Sequence, residues 1–191
     1  LPDPSGLFLS TRDVTVPGTC VTITLEGRRP LVAEVQALVA RSTTPSPRRA
    51  TSGLDSARVA MSVAVLERRA RIPVAAADTY TATVGGAKVT EPAADLAIAL
   101  ALASAALERA FPSDAIAIGE VGLAGEIRPV TGMPRRLAEA ARLGFRRAFV
   151  PPGTCGSVTR VPGLQLVEVA QLAQAVAVAL RAAPESVVSE P

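Results

Sequence analysis

The run from Gly85 to Leu102, GGAKVTEPAADLAIALAL, sets the strongest constraint on how this chain folds. Pro92 stands where a helix would begin, its missing N–H being one that no helical carbonyl would have met. From Leu96 to Leu107 the sequence is alanine-rich and apolar on every side, bounded by Asp95 and Glu108 and broken only by Ser104. That run is too short to cross a bilayer and suits a buried helix. A glycine-rich turn feeding a helix N-terminus is also a common place for a nucleophile or an anion site. Here the turn carries Glu91, Ala93, Ala94 and Asp95, with no Ser, Cys or Thr at the helix start.

A chain of 191 residues suggests one main domain with room for a sizeable core. Apolar residues make up 49% but aromatics only 3%, so Ala, Val, Leu and Ile must fill that core. Histidine is absent, which removes Ser–His–Asp and Cys–His chemistry and most zinc sites. No metal site is expected. Cys20 and Cys155 are far apart without CxxC spacing, which suggests structural thiols in a reducing cytosol. The pattern GxxxxGK[ST] is missing, so nucleotide binding is not expected here. A signal-peptide pattern is missing too, and a cytoplasmic, non-membrane protein is expected.

Residues 1–13 read as a connector, residues 14–182 as the folded domain, and residues 183–191, rich in Ser, Pro and Glu, as a disordered tail. Cys20–Leu25 and Leu31–Val39 read as a hairpin with Arg28 and Arg29 at its tip. Arg41–Gly53 reads as a Ser/Thr/Pro loop containing Arg48 and Arg49. Asp55 then caps a helix to about Ala70, with Val59, Val63, Leu66 and Ala70 on one face. Thr79–Val84 alternates like a strand, and Ala115–Gly119 is a short apolar one. GEVGLAGEIRPV turns as a hairpin, Pro134 opens a helix ending at Gly144, and Arg147–Val150 and Leu164–Val167 are strands. A last helix covers about Ala170–Arg181. This order predicts an α/β or α+β two-layer domain.

The segment EPAAD (Glu91–Asp95) resembles the nucleophile segment of the Lon protease family, whose pattern is Gly-Pro-Ser-Ala-Gly. Five ordered blocks, TLEGRRPLVAEVQALV, PRRATSGLD, VGGAKVTEPAADLA, GEVGLAGEIRPV and LGFRRAFVP, resemble the Lon-like C-terminal domain of the RadA (Sms) family of bacterial DNA repair proteins. The leading PSGLFLS is similar to the segment by which that family leaves its ATPase domain. The resemblance implies the ribosomal protein S5 domain 2-like fold of the Lon proteolytic domain. It puts the family's nucleophilic serine at Ala93 and its catalytic lysine at Pro134, so the Ser–Lys dyad is degenerate and no catalytic residue is expected. It also implies a hexameric, ATP-driven DNA motor as the parent, acting in recombination and branch migration, with ATP, magnesium and zinc held by domains preceding Leu1.

Other candidates weigh less. Lys88 lies upstream of the helix, away from the lysine position, and Ser104 reads as a small packing residue. Glu120 and Glu126 would serve as an acid–base pair, but a hairpin placement favours solvated or structural roles. Arginines remain. The pairs Arg28/Arg29, Arg48/Arg49, Arg135/Arg136 and Arg146/Arg147 are candidate contacts to DNA phosphates, and the first two stand in segments almost free of acidic residues. Arg68/Arg69 lie beside Glu67 and are expected to matter less. The expected function is a non-catalytic domain that supports ring assembly and sequence-independent DNA binding. A pure oligomerisation scaffold is the alternative, and an active Lon-type peptidase a remote third.

Overall fold

The computed structural model describes residues 15–181; the expected connector 1–13 and tail 183–191 lie outside the described residues. A long hairpin leads, β1 (Thr19–Glu26) and β2 (Arg29–Arg41), turning at Gly27. β3 (Arg49–Ser52), α1 (Ser56–Val65) and β4 (Ala77–Thr83) follow. These four strands form one sheet in the order β1-β2-β4-β3, antiparallel except for the parallel β3–β4 pair. The central helix α2 (Asp95–Leu107) crosses it. β5 (Ala115–Ala117), a small hairpin of β6 (Glu120–Val121) and β7 (Ile127–Arg128), and α3 (Met133–Arg142) come next. β8 (Arg147–Val150), α4 (Thr154–Ser157), β9 (Gln165–Glu168) and α5 (Leu172–Ala179) complete the chain. β5, β8 and β9 form a parallel sheet in the order β5-β8-β9. Helices layered on mixed sheets make this an α/β two-layer domain, as the order of elements predicts.

The apolar run does what its composition requires. Every residue from Asp95 to Ser104 is buried, with β1 and β2 on one side and α1 and α5 on others. Alanine between the leucines lets those neighbours approach closely on all sides. Leu96, Ile98, Leu100 and Leu102 are each at most 1% exposed. Burying a side chain of that size contributes roughly 1.5–3 kcal/mol, so this helix anchors the core. Ser104 is more than a packing residue. Its hydroxyl accepts from the Gly18 amide at 2.8 Å and donates to the Arg109 carbonyl at 2.5 Å, tying the entry of β1 to the end of α2.

Asp55 caps α1 as expected, its carboxylate accepting from the Arg58 amide at 3.0 Å. The helix then widens into a π-turn over Leu66–Ala70 and stops where Arg71 takes a left-handed conformation, φ 59°. Val59, Val63 and Leu66 of the predicted face are buried. Arg41–Gly53 is not a loop throughout. Its last part is β3, held to β4 by the Arg48 carbonyl, which accepts from the Thr79 amide at 2.8 Å, and by Asp78, which accepts from the Arg48 amide at 2.8 Å. Cys20 is buried, but Cys155 is exposed on the short α4, so only the first thiol is structural.

Candidate functional site

The turn before α2 is where this architecture would place a nucleophile. Strand β4 leaves the sheet through Val84–Gly86, where Gly85 adopts φ 68°, and Glu91 enters the helix in an extended conformation. Pro92–Ala94 form a single 3-10 turn that runs into α2. Ala93 is only 2% exposed and packs in a cluster with Ile23, Ile116, Ile118 and Met133. Two of the helix-start amides are engaged: Ala94 donates to the Glu91 carbonyl at 3.2 Å and Leu96 to the Gly119 carbonyl at 3.0 Å. The Ala93 carbonyl accepts from the Gly119 amide at 2.9 Å. The side chains of Pro92, Ala93 and Ala94 offer no nucleophilic atom at this turn. Pro134 is exposed in the first turn of α3, which follows Gly132 in a left-handed conformation, φ 72°.

Between these two positions lies a buried charge pair. Arg136 is 1% exposed, and its guanidinium grips Glu91 with Nη1 to Oε1 at 2.6 Å and Nη2 to Oε2 at 2.8 Å. The same guanidinium donates to the Ile23 carbonyl at 2.7 Å and the Thr131 carbonyl at 3.0 Å. Glu91 also accepts from the Leu25 amide at 2.9 Å. Burial pushes the Glu91 carboxyl upward, but hydrogen bonds from Arg136, Thr24 and Leu25 and the Arg136 charge outweigh it and hold its pKa below the usual range. Arg136 is therefore an interior staple and no candidate for a phosphate contact, because it is 1% exposed and donates four of its five guanidinium protons inside the protein.

A second carboxylate flanks the turn. Asp95 accepts from Arg58 Nη1 at 3.1 and 3.0 Å and from the Val121 amide at 3.3 Å. Its side chain is 6% exposed, and burial lifts its pKa to about 6 against the pull of Arg58. Glu120 and Glu126 converge on Arg128, the former at 3.6 Å and the latter by a direct hydrogen bond. They form a salt-linked hairpin rather than an open acid–base pair. Lys88 is exposed. Among the described residues no three His, Cys, Asp or Glu side chains come together as a metal site, and no helix is long and apolar enough to cross a membrane.

The remaining arginines divide by position. Arg28 and Arg29 are exposed at the hairpin tip, with Arg29 opposite Glu26 in the ladder. Arg48 and Arg49 are exposed at the start of β3, at the other end of the sheet. The two pairs are separated by the length of β2, whose 13 residues span on the order of 40 Å. They do not share a patch. Arg41, which is not among the candidate phosphate contacts, lies near the second pair instead: it ends β2 opposite Ala77, while Arg49 faces Thr79 from the other side of β4. Arg49 Nη2 donates to the Ala75 carbonyl at 2.9 Å. Asp78 is the acidic residue beside this rim, its carboxyl held low by the Arg48 amide and then by Ser42 and the Arg48 charge, despite slight desolvation. Arg135 and Arg146 are exposed, and Arg147 is engaged with Asp114 at 2.5 Å.

The family model described as subunit ChlI of Mg-chelatase matches residues 37–154. The chain is 61% identical over 166 residues to the DNA repair protein RadA of Mycolicibacterium smegmatis, an overlap covering 86% of this chain and 34% of that protein. It is 45% identical over 180 residues to the RadA of Synechocystis, covering 94% and 35%, and 45% identical over 177 residues to that of Escherichia coli, covering 92% and 38%. The chain thus spans about a third of the length of the curated relatives it matches.

Proposed function

Because the chain belongs to the family matched by the ChlI model and is a RadA-type DNA repair protein domain, we propose that it is a non-catalytic Lon-like domain that touches the DNA backbone. In this proposal the longer protein is an ATP-driven motor on DNA in the cytoplasm, assembled as a hexamer and active in recombination and branch migration. ATP, magnesium and zinc would be held by its other domains, and this domain would support the ring. Loss of peptidase chemistry is supported by the residues themselves. Ala93 carries no nucleophilic atom and Pro134 no amine, and an activated serine requires both.

The observation that carries DNA contact is the rim formed by Arg41, Arg48 and Arg49. By backbone register Arg41 and Arg49 lie on either side of the start of β4, Arg48 precedes Arg49, and all three are exposed, with Asp78 accepting from the Arg48 amide. Guanidinium forks match phosphate oxygens geometrically, and a rim of this kind reads no base edge. Binding is expected to be weak and independent of sequence. The test is a fluorescence-anisotropy titration with duplex and single-stranded DNA at several salt concentrations. Each neutralised phosphate contributes a slope of roughly 0.9, so three contacts give at most about −2.7 in log affinity against log salt. Arg48→Ala with Arg49→Ala should remove up to about 1.8 of that slope, and Arg28→Ala with Arg29→Ala less. Equal binding by parent and rim variant at every salt concentration sinks the rim; no binding by either leaves the scaffold role alone.

A further inference from the structure

The outer face of the four-stranded sheet is only half covered. α3 packs over the part formed by β1 and the first half of β2. Beyond it, Gln36 and Leu38 of β2, Tyr80 and Ala82 of β4 and Ala50 of β3 line an open groove of about 720 Å³, walled on one side by Val16. Leu38 is 61%, Val16 52% and Tyr80 37% exposed, so this one groove gathers three of the five large apolar side chains that stand most open to water among the described residues. Groups of exposed apolar residues in a concave surface mark a place that something covers.

Chain geometry narrows what that is. Thr15 is the first described residue, and the chain enters β1 along the groove wall at Val16, Pro17 and Gly18. Just upstream stands Leu7-Phe8-Leu9. That segment carries Phe8, whereas the other three phenylalanines, Phe111, Phe145 and Phe149, are each at most 4% exposed. The residues from Leu9 to Val16 reach at most about 25 Å, more than the roughly 14 Å across four paired strands. A tether this short gives an effective concentration in the millimolar range, which modest apolar contact suffices to exploit. We propose that the segment Leu7-Phe8-Leu9 of the same chain occupies the groove, docking the N-terminal entry of the domain onto the outer sheet face. The docking is independent of DNA binding, since the arginine rim is not part of the groove lining.

Tyr80 reports on this directly, because the chain has one tyrosine and no tryptophan. Acrylamide quenching of its fluorescence is measured on the full 191-residue chain and on the Leu7→Ser, Phe8→Ser, Leu9→Ser variant. The expected result is a Tyr80 shielded in the parent and a loss of that protection in the variant, at every protein concentration. Leu38→Ser, altered on the groove side, should raise hydrogen exchange of the amides around Phe8 with the far-ultraviolet spectrum unchanged. Equal quenching of parent and variant overturns the proposal. So does protection that vanishes on dilution, which assigns the groove to a second copy, and so does unchanged exchange in the Leu38 variant.

Discussion

Glu91 stands two residues before Ala93, Arg136 stands two residues after Pro134, and the two side chains close a bidentate ion pair at 2.6 and 2.8 Å. The positions that the resemblance assigns to a nucleophile and a base are thus bracketed by a structural clamp. It joins the turn before α2, strand β1 through Ile23 and Leu25, and the first turn of α3. A cleft that must admit a peptide needs solvent and room between these elements. Here a buried guanidinium links them.

The clamp should be costly to break. Arg136→Ala leaves the half-buried Glu91 carboxylate and two carbonyl oxygens without their partner, and removing one member of a buried pair costs about 3–5 kcal/mol. Glu91→Ala strands the more deeply buried charge and should be at least as severe. Because the folded-state pKa of Glu91 lies below its unfolded value, its contribution is present above about pH 4.5 and is lost as pH falls through the lowered pKa. Urea unfolding followed against pH checks both. A variant as stable as the parent would show that the pair only breaks even against its desolvation.

Asp95 should give a pH dependence of opposite sign. Its pKa rises from 3.8 to about 6 on folding. Between those values the folded protein keeps a proton that the unfolded chain has released. Stability therefore falls as pH rises from about 4 to about 6 and is level above that, by on the order of 2–3 kcal/mol in all. Asp95→Asn should abolish this slope, since the amide does not titrate. A parent whose urea midpoint is flat across the interval, or an Asn variant that keeps the slope, would place the titration elsewhere.

How much of this was legible in advance follows from how local each cause is. The run after Asp95 announces a buried helix because a segment apolar on all sides has no other stable place. The leading hairpin declares itself by alternation around Gly27. β3 does not: Arg49–Ser52 carries no apolar alternation, and it becomes a strand only by pairing with β4, whose Asp78 and Thr79 are distant in sequence. The arginine pairs were read as units, yet neighbours on a helix point about 100° apart. Arg135 therefore faces water while Arg136 is sealed in, a distinction that depends on where α3 starts and on a partner 45 residues upstream. Arg41 stands in the same stretch as Arg48 and Arg49, but only the pairing of β2 and β3 with β4 brings it to their end of the sheet.

Restoring the missing groups should not restore activity. Ala93→Ser puts a hydroxyl at a site only 2% exposed, in a cluster of Ile23, Ile116, Ile118 and Met133. A buried hydroxyl without a partner costs roughly 1–3 kcal/mol, so the variant should be measurably less stable. Adding Pro134→Lys introduces an amine on the exposed side of α3, where it stays solvated and protonated and so cannot act as a base. The expectation is no cleavage of unfolded casein by the parent, the single or the double variant, and no labelling of Ser by a serine-directed phosphonate probe. Labelling of the single variant would mean that the turn opens far enough for a nucleophile to work, and that the Glu91–Arg136 clamp does not close the site.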